Sequence, residues 1–156
     1  MTLISAMRAI YPGTRSPAIL AQGELVAEIV LAGGKGTLSV HAGGTLHLIW
    51  VPGSIVQAED AMESVLAMEV LSVGRKLPLL IEIIGVNLTV EACNHYRDTR
   101  FVSSVAMVGT TKVDLVVAAW VRRGQHSLQE FFTSRPAAVA WLEGLSAPEI
   151  VHQVPA

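Results

Sequence analysis

Pro78-Leu-Leu-Ile-Glu-Ile-Ile84 runs almost without a polar break into Gly85. A strand with one wet face alternates apolar and polar residues, whereas a strand apolar throughout has to be covered on both sides. The run is therefore expected as a central strand of a mostly parallel sheet with helices on its faces. Its single charge, Glu82, needs a partner or carries a raised pKa. A strand-end carboxylate satisfied by backbone or an arginine is the favoured reading, and functional use is the other.

The flanking segments supply the rest of such a sheet. From Thr37 a hairpin is expected, and its register follows from the pleat, because a slip of one residue exchanges the two faces. A two-residue Gly43-Gly44 turn pairs Val40 with His47 and mixes polar and apolar residues on both faces. A three-residue Ala42-Gly43-Gly44 loop with a left-handed Gly44 pairs Val40 with Leu46 and Leu38 with Leu48. That register puts those residues and Trp50 on one face and Ser39, His41, Thr45 and His47 on the other, as a polar sheet surface.

Downstream, the apolar spacing of Ala58, Ala61, Met62, Val65, Leu66, Met68 and Val73 predicts a helix over 57–73, with Glu59 and Asp60 in its first turn and Gly74 at its end. Its apolar sector is wider than one stripe, which points to cover on two sides. Thr89 caps a short helix to about Asp98, with Val90, Cys93 and Tyr96 inward. Val102 to Val108 follows as a strand. Thr111 and Asp114 open a helix to Arg123, with Val113, Val116, Val117, Trp120 and Val121 inward. Leu128 to Phe132 is a last strand, and Ser134 with Pro136 starts a helix to Leu145. The expected architecture is a single α/β domain over 33–146, a mostly parallel sheet with an N-terminal β-hairpin and four helices. Residues 1–32 read as an arm, with a leaning toward strand over 24–31, and 147–156 as a tail.

A chain of 156 residues holds one such domain, and 51% apolar against 15% charged residues excludes disorder. The net charge of −2 comes without a basic run, which speaks against nucleic acid as a partner. Met1 to Ile10 lacks the order of a secretory leader, and the longest apolar runs, such as Leu115 to Val121, are far short of the ~20 residues of a membrane span. The lone Cys93 allows neither an intramolecular disulfide nor a multi-cysteine zinc site, and a reducing cytoplasm is expected.

Candidate chemistry is sparse. His41 and His47 are diagonal neighbours across the hairpin, but no third ligand is fixed by the spacing, so polar surface histidines are preferred to a metal site. Gly33-Gly34-Lys35-Gly36-Thr37 has a glycine between Lys35 and Thr37 and a strand after it, so it fails the phosphate-loop pattern and reads as a flexible linker. His95 stands about 200° round the helix from Cys93, which leaves Cys93 a packing residue. His126 and His152 fall on a loop and a tail. No catalytic set, metal or cofactor is expected, and the chain is read as no enzyme.

Three stretches resemble a known family: Gly44-Thr-Leu-His-Leu-Ile-Trp50, Ala58-Glu-Asp-Ala-Met62, and Arg75-Lys-Leu-Pro-Leu-Leu-Ile-Glu-Ile-Ile-Gly-Val86. They look like the STAS or SpoIIAA-like domains of anti-anti-sigma factors. With Phe131-Phe-Thr-Ser-Arg-Pro-Ala-Ala-Val-Ala-Trp-Leu142, they are closer still to an uncharacterised actinobacterial branch. The resemblance covers about 36–145 and implies a SpoIIAA-like fold and a regulatory protein-interaction module. The family's Asp-Ser-Ser-Gly stretch, with its phosphorylated serine, is replaced here by Asn87-Leu-Thr-Val-Glu-Ala92, leaving Thr89 as the one hydroxyl. Thr89 is thus a candidate phosphoacceptor, with a plain helix cap as the preferred role. Asn87, Thr89, Glu91 and His95 form the candidate docking surface. A homo-oligomer is expected, joined through the 58–73 helix, the arm, or both. The alternative is a carrier of a small apolar molecule or lipid in a CRAL-TRIO-like pocket.

Overall fold

A computed structural model describes residues 25–97, 99, 101–122 and 128–146. The rest of the arm and the tail lie outside the described residues. The elements run β1 (Leu25–Leu31), β2 (Gly36–His41), β3 (Leu46–Trp50), β4 (Ile55–Val56), α1 (Ala58–Ser72), β5 (Leu77–Glu82), β6 (Asn87–Leu88), α2 (Val90–Arg97), β7 (Val102–Val108), α3 (Lys112–Arg122), β8 (Leu128–Phe132) and α4 (Arg135–Ser146).

Six strands form one sheet in the order β1-β2-β3-β5-β7-β8. β1, β2 and β3 are an antiparallel meander, and β3, β5, β7 and β8 are parallel. The apolar run is central as expected, since β5 lies between β3 and β7. Each crossover from β3 onward moves one strand in the same direction, and right-handed crossovers of that kind put their helices on one face. α1, α2 and α3 cover Leu38, Leu46, Leu48, Trp50, Leu79 and Ile81 there. α4 follows the last strand and packs on the opposite face over Leu80, Ala106 and Val108.

The hairpin register is the one argued from the pleat: Val40 is opposite Leu46, Leu38 opposite Leu48 and Ser39 opposite His47. Gly43 and Gly44 take φ of 103° and 95° in the loop, conformations that side chains disfavour. Gly36 is opposite Trp50, and a Cβ on it would stand 2.5 Å from the indole ring, so only glycine lets the ring lie over β2.

Several expectations change. Residues 25–31 are a strand, as their alternation suggested, but it is the edge strand of the sheet itself instead of part of an arm, and 32–35 is a tight turn between β1 and β2 instead of a flexible linker. The polar face of the hairpin is no solvated surface: Ser39, His41, Thr45 and His47 are all buried. On α1 the inner residues are Asp60, Ala61, Ser64, Ala67, Met68, Leu71 and Ser72, while Met62, Leu66 and Val73 face outward. On α3 the buried residues are Asp114, Ala118 and Val121, whereas Val113, Val116 and Trp120 are exposed. On α2, Val90 is exposed and Ala92 takes its expected place inside with Cys93 and Tyr96.

Candidate functional site

At the carboxyl ends of β3 and β5 the chain builds a small second sheet. β4 and β6 pair in parallel, Ile55 beside Asn87 and Val56 beside Leu88. The Gly53 amide donates to the Gly85 carbonyl at 2.9 Å, the Asn87 amide to Ser54 at 3.0 Å, and the Thr89 amide to Val56 at 3.1 Å. Lys35 anchors this platform from below. Its ammonium donates to the Ile55 carbonyl at 2.7 Å and pairs with Asp60, which in turn accepts the Gln57 amide at the start of α1. Burial pushes the Asp60 carboxyl up, but the Gln57 amide and the Lys35 charge outweigh it and hold it below the usual carboxylate range.

Val56 and Leu88 are buried beneath the ladder, and Ile55 and Asn87 are exposed above it. Thr89 Oγ1 accepts the Ala92 amide at 3.1 Å, the cap role that its residue type favours. Glu91 and His95 lie one turn apart on α2, Glu91 exposed and His95 half-buried. Of the four residues singled out from the sequence, Asn87 lies on the platform, Thr89 and Glu91 at the start of α2, and His95 in its last turn. The spacing missed Val51, Ile55 and Val90, aliphatic side chains 49%, 50% and 56% exposed on these same segments. Neither Val51 nor Ile55 belongs to a periodic run, so only the ladder reveals them.

The other concentration of chemistry is buried. Glu82, the charge inside the apolar run, accepts His47 Nε2–H at 2.7 Å. Arg135, first residue of α4, donates through Nε at 2.6 Å and Nη2 at 3.2 Å to both carboxylate oxygens. Burial pushes the Glu82 carboxyl up, but hydrogen bonds and charge from His47 and Arg135 outweigh it and keep it ionised below its usual range. The acceptor-only carboxylate fixes the proton on Nε2 of His47. Ser39 Oγ lies 3.2 Å from His41 Nε2, and the His41 and His47 rings are 6.0 Å apart. Among the described residues no group of three or more His, Cys, Asp or Glu is arranged to hold a metal.

Cys93 is buried, and burial pushes its thiol up despite Arg97, the opposite of an activated nucleophile. Tyr96 donates to Ser64 Oγ at 2.7 Å and Ser64 to the Ala61 carbonyl at 2.8 Å, joining α2 to α1. A void between the sheet and α2 and α3, lined by Leu79, Ile81, Tyr96, Val105, Met107 and Val121, measures about 10 Å³. That is room for about one water. Among the described residues no helix is long and apolar enough to cross a membrane.

No family model matches the chain, and no curated protein does. Among solved structures it is similar to an uncharacterised protein of the DUF3478 family with a SpoIIAA-like fold, from Shewanella loihica PV-4. The two are 20% identical over 63% of this chain and 83% of that one, with a TM-score of 0.50. At that identity the likeness shows the fold: this is a SpoIIAA-like α/β domain with a central sheet and four helices.

Proposed function

Proceeding from the SpoIIAA-like fold, we propose that the chain is a non-catalytic regulatory module that docks a protein partner on the β4–β6 platform and the first turn of α2. One observation carries this reading. Val51, Ile55 and Val90 stand about half exposed on segments fixed by backbone hydrogen bonds, and Asn87, Thr89 and Glu91 supply polar groups on the same segments, with His95 one turn further along α2. A pre-ordered apolar centre with a polar rim is the anatomy of a protein-docking patch. The reactive groups support a non-catalytic role, since Glu82 is saturated by His47 and Arg135 and Cys93 is buried.

The net charge of −2 without a basic run supports a protein partner over nucleic acid or a membrane surface. The single cysteine supports a cytoplasmic setting. The module self-associates through the outer side of α1. The carrier reading draws no support from the layer between the first face and its helices, where the void of about 10 Å³ is far below the several hundred a small-molecule pocket needs.

Calorimetric titration of the full chain with the purified products of neighbouring genes, a sigma factor or a histidine-kinase-like ATPase first, tests the docking. Binding is expected, with Val90→Asp and Ile55→Asp each weakening it about tenfold or more, as truncating a buried anchor does. Unchanged affinity in both variants would contradict the proposal.

A further inference from the structure

α2 and α3 pack side by side and run parallel, since each leads from the end of one parallel strand to the start of the next. At 100° per residue, Val90, Asn94 and Arg97 share one side of α2. Arg97 shows that this side borders α3, because its guanidinium lies over the Trp120 ring, 6.0 Å from the centroid. On α3, Val113, Val116 and Trp120 fall within about 60° of each other. Two rows thus flank the seam between the helices. Val90 and Val113, 56% and 68% exposed, stand at the same end of the sheet as the β4–β6 platform, and Val116 is 66% exposed one turn on. Arg97 and Trp120 close the far end, two turns or about 10 Å away.

The charges beside the seam are positive. Lys112 is exposed at the head of α3, while the one carboxylate of that helix, Asp114, is buried on the Thr110 and Thr111 amides. Arg97 is half-buried, donates to Asn94 Oδ1 at a long 3.3 Å, and pairs with no carboxylate among the described residues. A guanidinium stacked on an indole and lacking a counterion is a ready receptor for a carboxylate. Trp and Arg are also the residue types that most often anchor protein interfaces. Two separate cations are short of the cluster of about four to eight that draws a segment to an anionic membrane. Apolar along its length, with a cation at each end, the seam matches an acidic amphipathic helix of a protein.

We infer that the partner docked on the platform continues along this seam as such a helix, with its apolar side on Val113, Val116 and Trp120 and a carboxylate reaching Arg97. The inference rests on the docking reading and names the chemistry of the partner segment.

Two amphipathic helical peptides of about 15 residues test it, alike in a leucine stripe and differing only in glutamate or lysine at every other polar position. Added to the isotope-labelled full chain, the glutamate peptide is expected to shift the amides of Val113, Val116 and Trp120 and the side chain of Arg97. The lysine peptide leaves them unmoved. Arg97→Gln weakens the glutamate peptide about fivefold, the worth of a partly exposed ion pair. Val116→Asp, at an exposed position the core does not use, abolishes its binding. Silence with both peptides, equal response to both, or indifference to both substitutions overturns the inference. Should the calorimetric docking still depend on Ile55, the platform reading survives that failure. Flotation of the full chain with phosphatidylglycerol vesicles, lost in Val116→Asp, would assign the seam to a membrane and overturn the inference as well.

Discussion

Glu82 decides how the second face of the sheet closes. It is buried at the carboxyl end of β5, and its partners are 35 and 53 positions away in the chain. Ionised, it holds the start of α4 through Arg135 and orients His47 beneath it. Its folded pKa lies below the unfolded value of about 4.3, so the stability it contributes is fully present above that value. That stability is lost as pH falls through the folded pKa. Thermal melts are expected to hold steady from neutral pH to about 5 and then to drop. Glu82→Gln at neutral pH is expected to cost about 2 kcal/mol, below the 3–5 of a fully buried pair because Arg135 is 41% exposed. The variant should also flatten the acid-side fall. A wild-type-like slope in Glu82→Gln would assign the acid sensitivity to another carboxylate.

Elements differ in how far the sequence reveals them. The β5 run, the β2–β3 register and the caps at Thr89 and Thr111 were legible because each rests on a local constraint: a pleat, a turn or a first helical turn. The inner side of α3 was not. Its sequence, Lys-Val-Asp-Leu-Val-Val-Ala-Ala-Trp-Val-Arg, is apolar almost all round, so periodicity leaves its rotation open. Asp114 settles it by accepting the Thr110 and Thr111 amides at 2.8 and 3.1 Å, which turns Asp114, Ala118 and Val121 inward.

α1 was misread in the same way, its inner side being small residues such as Ala61, Ser64 and Ala67 and its outer side Met62 and Leu66. Of the candidate site, the Thr89 cap could be read from the chain, but the ladder that presents Ile55 beside Asn87 depends on a pairing between distant loops. At the scale of α2, Thr89→Ala removes the oxygen that accepts the Ala92 amide and is expected to cost about 1 kcal/mol. A urea midpoint lowered at constant m-value reads this out. An unshifted midpoint would deny the cap a stabilising role.

Taken as a whole, the molecule buries Glu82, His47 and its thiol and leaves aliphatic side chains outside on the platform, on α1 and on α3. The platform of β4 and β6 rises from the carboxyl ends of β3 and β5, and the outer stripe of α1 runs along a helix that packs on the first face. Under the function proposed above, the α1 stripe takes a second copy and the platform an unlike partner. Amide chemical-shift mapping of the full chain over a dilution series tests that division of labour most directly. The account predicts concentration-dependent shifts along α1, with Ile55, Asn87 and Val90 unmoved. Shifts centred on Ile55, Asn87 and Val90, or none along α1, would contradict it.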